Sequence, residues 1–191
     1  MDAVALLTSQ WTSLNIALHA LSHDLSPNEW VFRVASGENL TGFTLWHVAA
    51  CQDWTVQTWI RNIPEVRDRE TWTRRLGLDR LGLAFGMSLA DADAVARAVC
   101  AADVLAYADA VLVENIRWLS AVDARELDRV PDNRAHLNRH PAYRTAWYLA
   151  EVQGMWDQTV AEVISLDIGH GRTHLGEAGL VKTLARRSSA S

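Results

Sequence analysis

The chain has 191 residues, 49% hydrophobic and 21% charged, which suits one domain with a buried core and excludes a disordered chain. Eighteen basic residues against 23 acidic ones leave a formal charge of -5, without the basic footprint of a nucleic-acid-binding protein. Four prolines and ten glycines supply little turn material, which disfavours a many-stranded sandwich or barrel and predicts an all-α protein.

Leu7, Trp11, Leu14, Leu18 and Leu21 step by four, three, four and three residues, the period of one helix face, and predict a first helix over 3–23. Ser26, Pro27 and Asn28 read as the start of a short helix, followed by a loop at Ser36 and Gly37. A second long helix begins near Thr41, places Phe43, His47, Ala50, Trp54 and Thr58 on one face and ends before Pro64. Residues 65–87 hold no sustained period and predict a long connection with one helical turn, of the kind that often borders a site. Ser88 with Asp91 is capping-box-like and opens a third helix to about Val122, with Val95, Val99, Ala102, Ala106, Val113 and Ile116 inward. Residues 123–141 break the pattern, and a short helix is expected over 142–153 with Gly154 as its stop. Thr159 and Glu162 form a second capping box for a last helix that reaches Arg186, before a frayed tail over 187–191.

Four long helices with short connecting helices make a four-helix bundle, a single domain over 1–186. Cys51 and Cys100 fall in apolar periodic stretches and read as small buried side chains rather than a disulfide framework. A reducing compartment fits. With no basic leader and no uncharged apolar run of about 18 residues, a cytoplasmic protein without a membrane partner is expected.

The last helix carries the chemistry. Its stripe of Val160, Val163, Ile164, Asp167, His170, His174, Ala178 and Val181 is polar at its centre. His170 and His174, four residues apart, place their Cβ atoms about 5–6 Å apart on one face, close enough for two imidazoles to bind one metal. Spacing by itself is a weak signal, because seven histidines also produce His136–His140 and His19–His23. Pro141 biases His140 away from the helical region, so that pair reads as loop, and His19 and His23 lie off the leucine stripe and read as solvated. Gly169, Gly171 and Gly176 each cost a helix about 0.5–1 kcal/mol relative to Ala, which asks for close approach of another helix or a ligand. His47, on the buried face of the second helix, is the best third ligand, although a lone buried His is more often a satisfied core residue.

Leu45-Trp46-His47-Val48-Ala49-Ala50 with Asp53-Trp54, and His170-Gly171-Arg172-Thr173-His174-Leu175-Gly176-Glu177 with Leu180 and Lys182, resemble the two metal-binding signatures of the DinB/YfiT-like superfamily. Those proteins are bacterial four-helix bundles in which one His of the second helix and two of the last hold a divalent metal. Helix order and spacing agree over nearly the whole chain. The resemblance implies His47, His170 and His174 as ligands of a divalent ion, zinc or nickel, and a homodimer. Characterised relatives include S-transferases that use low-molecular-weight thiols such as mycothiol or bacillithiol, and a thiol-dependent maleylpyruvate isomerase; many members have no known reaction.

Three neutral imidazoles would leave an ion its full charge and at least one open position, where a thiol or water becomes more acidic. Glu177, one turn beyond His174, and Asp167, one turn before His170, are the carboxylates placed to orient an imidazole or accept a proton; for Glu177 a plain surface charge is the other reading. Trp46 and Trp54 flank His47 as candidates to line a pocket, although nine tryptophans are more often core filler. Two functions follow: a metal-dependent thiol S-transferase or isomerase acting on a small-molecule thiol and an electrophile, or a non-catalytic metal-binding bundle acting as a sensor or stress-response protein. A pocket lined from residues 65–87 would favour the first, and a closed four-ligand site the second.

Overall fold

A computed structural model describes residues 2–78, 86–138 and 141–189, and every regular element among them is helical. Helix α1 (Ala3–Ser22) begins where the Asp2 carboxylate accepts from Ala5 N at 2.7 Å, and buries the expected stripe of Leu7, Trp11, Leu14 and Leu18. In α2 (Pro27–Trp30) Ser26 and Glu29 make the reciprocal capping box that the Pro-at-first-turn signal announced in part. Helix α3 (Thr41–Asp53) runs on into a π-helical turn (Trp54–Ile60), closed where Arg61 N reaches back five residues to Val56 O at 3.0 Å. Both stretches are buried almost all round, because α3 packs against α5, α6 and α10 together.

The connection after α3 holds more helix than one turn: a 3₁₀ turn (Val66–Asp68) and α4 (Glu70–Leu76). The expected third helix is two. Val99 and Cys100 are extended and separate α5 (Leu89–Ala98) from α6 (Ala101–Ala121), so the helical phase restarts. Val104, Tyr107, Ala108, Val111, Asn115 and Leu119 turn inward on α6, while Ala102 and Val113 are exposed and Ala106 and Ile116 only half-buried. Cys100, expected inside, is exposed and donates its thiol to Asp103.

Short helices α7 (Ala124–Leu127) and α8 (Asn133–Leu137) follow, so His136 lies on a helical turn rather than in a loop, and His140 lies outside the described residues. The helix expected over 142–153 divides into a 3₁₀ turn (Pro141–Arg144), α9 (Ala146–Val152) and a second 3₁₀ turn (Gln153–Met155). Thr159 and Glu162 cap α10 (Val160–Ser189) as predicted, with Thr159 N donating to Glu162 at 2.8 Å. Helix α10 outlasts the expected fraying point. Lys182 Nζ donates to Leu21 O at 2.7 Å and pairs with Asp24, and Arg186 pairs with Asp24 and Glu29, pinning the last turns.

The four long helices pack in cyclic order: α1 on α10, α10 on α3, α3 on α6 and α6 on α1. Successive contacts Trp11–Asp167, Leu14–Gly171 and Leu21–Lys182 make α1 and α10 parallel. Contacts Asp53–Tyr107 and Gln57–Asn115 make α3 and α6 parallel too, so the chain returns to the other end of the bundle between them. Asp53, fully buried, anchors that crossover by accepting from Val66 N, Arg67 N and Tyr107 Oη at 2.8, 3.0 and 2.7 Å. Beside it Arg67 pairs with Glu65 at 2.7 Å.

Two apolar clusters fill the bundle, one with Leu14, Phe43, Ala50 and Leu175, the other with Trp11, Trp54, Ile164 and Ile168. Two polar pairs are buried as well: Thr55 donates to Asp167 on α10, and Gln57 donates to Asn115 on α6. Among the described residues no helix is long and apolar enough to cross a membrane.

Candidate metal centre

Contacts Val48–Gly171 and Thr55–Asp167 make α3 and α10 antiparallel, and at this contact three imidazoles converge. His47 comes from α3 and His170 and His174 from α10, and their ligand atoms all lie within 4.8 Å of one another. Helix α10 approaches α1 and α3 closely because Gly171 has no side chain: a Cβ there would stand 2.8 Å from Leu14 Cδ2 and 3.4 Å from Val48 Cγ1. Gly169 and Gly176 face open space, so close packing accounts for only one of the three glycines.

The Nε2 atoms of His47 and His170 are 3.4 Å apart, and those of His170 and His174 are 3.0 Å apart. Two nitrogens bound tetrahedrally at about 2.0–2.1 Å would stand about 3.4 Å from each other, so the donor set fits a first-row divalent ion. Phe43 stacks on the His47 ring at a centroid distance of 5.6 Å and fixes its plane. Glu177 Oε2 lies 2.7 Å from His174 Nδ1, the contact expected of a carboxylate that holds one tautomer and turns Nε2 toward the ion. Desolvation, with His174 beside it, pushes the pKa of His170 down to about 4. Its ring is therefore neutral at physiological pH and able to ligate.

Asp167 sits one turn before His170, is buried, and accepts from Trp11 Nε1 and Thr55 Oγ1, each at 3.4 Å. Burial pushes its carboxyl up to about 7, against the opposing pull of those two donors. A cavity of about 490 Å³ opens beside it, lined by Cys51, Trp54, Thr55, Asp167 and His170 together with the segment 151–158 through Val152, Met155 and Gln158. A second cavity of about 140 Å³ lies against His47 and His174, bounded by Asn39, Thr44 and Met87 among others.

Of the tryptophans expected at the pocket, Trp54 lines the larger cavity. Trp46 lines neither; it is fully buried in the core against Phe43. The larger cavity also draws its wall from 151–158 rather than from the connection 65–87, whose described contribution is Gly86 and Met87 at the smaller one. His19, expected to be solvated, lies 2.8 Å from Asp109 and ties α1 to α6 away from the triad.

Cys51 and Thr55 were missed as cavity residues, although the spacing 47, 51, 55 carries one helical face past His47. Cys51 Sγ lies 3.5 Å from His47 Nε2, and burial, with Asp167 nearby, pushes its thiol well above the ordinary value. No protein-family model matches the chain, and a search of curated proteins finds no match.

Proposed function

We propose that the protein is a metal-dependent enzyme of the DinB/YfiT-like kind that transfers a low-molecular-weight thiol to an electrophile, or uses that thiol to assist an isomerisation. The observation that carries this reading is the convergence of three imidazoles, one of which, His170, lines a cavity of about 490 Å³, a size suited to a small-molecule substrate. A zinc or nickel ion held by His47, His170 and His174 would make a thiol that reaches it more acidic, so that thiolate forms below the ordinary range of about 8.5.

The chain's own residues supply the rest. Glu177 holds the His174 ring through Nδ1. Trp54, Val152 and Met155 give the larger cavity an apolar wall, and Asp167 and Thr55 offer hydrogen bonds along its polar edge. In the transfer the sulfur lone pair forms a new C–S bond, the leaving group departs with its bonding pair, and the thiol proton passes to solvent.

The test is a screen of the metal-loaded protein with several bacterial thiols and electrophiles. The reading expects a product that disappears on chelation and in His170→Ala. Full metal occupancy with no product from any pair would favour the non-catalytic sensor or stress-response protein.

A further inference from the structure

The larger cavity has walls of one electrostatic kind. Its apolar side is Trp54, Val152, Met155 and the half-exposed Leu166. The charged residues among its described lining are Glu151 and Asp167, both acidic, and neither a lysine nor an arginine is among them. The smaller cavity, about 140 Å³, is close to the size of an engineered cavity that holds one benzene, so a substituted electrophile fits the larger one.

We propose that the lining of the cavity beside His170 favours an uncharged, largely apolar electrophile over an organic acid. This rests on the thiol-transfer reading above for the word electrophile, but not for the charge preference. A carboxylate entering past Glu151 meets like charge and, among the described lining residues, no guanidinium to pair with, the arrangement by which proteins ordinarily hold such groups. A divalent ion held at the cavity's inner edge by three neutral imidazoles would keep its full positive charge, repelling an organic cation and drawing a carboxylate toward itself, so the preference of the lining itself is read in the chelated protein. A neutral molecule with an apolar body loses nothing on either count and gains from leaving water.

The preference is measurable without turnover. Nitrobenzene and benzoate have nearly the same shape and differ in charge, and their binding is followed by calorimetry in the absence of thiol, on metal-loaded and on chelated protein. Nitrobenzene is expected to bind at least tenfold more tightly than benzoate to the chelated protein, and loading the metal, which attracts the anion, should narrow that ratio. Glu151→Lys, at an exposed position, should narrow that ratio severalfold with an unchanged melting temperature. Benzoate binding as tightly as nitrobenzene to the chelated protein would overturn the inference, as would a ratio there that Glu151→Lys leaves unchanged or the absence of binding by either probe. The two readings fail separately: a charge preference without any thiol conjugation sinks the transferase reading alone, whereas thiol conjugation of a dicarboxylate sinks this one alone.

Discussion

Glu177 Oε2 lies 2.7 Å from His174 Nδ1, three residues away on the same helix, and the opposite nitrogen of that ring faces His170 Nε2 at 3.0 Å. A carboxylate in this position makes the imidazole a better ligand and fixes its rotation. Glu177→Gln is therefore expected to lower metal affinity by about 10- to 100-fold, read by competition with a chromophoric chelator. An unchanged affinity would return Glu177 to the status of a surface charge.

The triad makes a sharper claim. His47→Ala, His170→Ala and His174→Ala should each reduce the metal content of the purified protein to a small fraction, measured by elemental analysis. His19→Ala removes an imidazole that pairs with Asp109 instead, and should leave metal content unchanged. Comparable loss in all four variants would contradict the assignment.

The glycines of α10 separate packing from mere helix weakness. Gly176→Ala adds a Cβ into open space and should stabilise the protein by about 0.5–1 kcal/mol, the ordinary helix-propensity gain. Gly171→Ala pushes a Cβ to 2.8 Å from Leu14 Cδ2, and should destabilise by about 1–3 kcal/mol through overpacking. Denaturant unfolding decides both, and a gain at Gly171 would mean that α1 and α10 separate more easily than their contact suggests.

Asp167 gives a pH signature in the metal-free protein. Burial raises its folded pKa from 3.8 to about 7, so its contribution to stability is fully present below 3.8 and is lost as pH rises through about 7. Asp167→Asn, which cannot ionise, should raise the melting temperature relative to the parent more at pH 8 than at pH 5. A difference that is the same at both pH values would show that Asp167 does not titrate in this window.

Asp53 tests the anchor of the crossover. Asp53→Ala strands the donors of Val66, Arg67 and Tyr107 that it now accepts from, and should cost about 3–5 kcal/mol by analogy with removing one partner of a buried charged group. Tyr107→Phe removes one bond only and should cost about 1–2 kcal/mol. Equal effects in denaturant titrations would place the anchoring in the tyrosine rather than in the carboxylate.

Much of the site was legible before any coordinates. The apolar period placed α1, the start of α3 and the start of α10 at Thr41 and Val160 or within a few residues, and the spacing of His170 and His174 put both rings on one face. Those inferences are local: a helix and its i, i+4 neighbours follow from backbone hydrogen bonds four residues apart. The break at Val99–Cys100 escaped the same reasoning because residues 88–122 keep an apolar content that either one helix or two would satisfy.

The order of the residues therefore set the helical class, the long helices α1, α3 and α10, the excess of acidic over basic residues and the histidines able to meet. Tertiary structure alone decided what meets them. That Gly171 and not Gly169 or Gly176 is pressed by a neighbour, that Trp46 sits in the core while Trp54 faces a cavity, and that 151–158 supplies the cavity wall all depend on how far each helix is rotated about its own axis. That rotation is set by side chains distant in sequence packing against one another, and no local period records it.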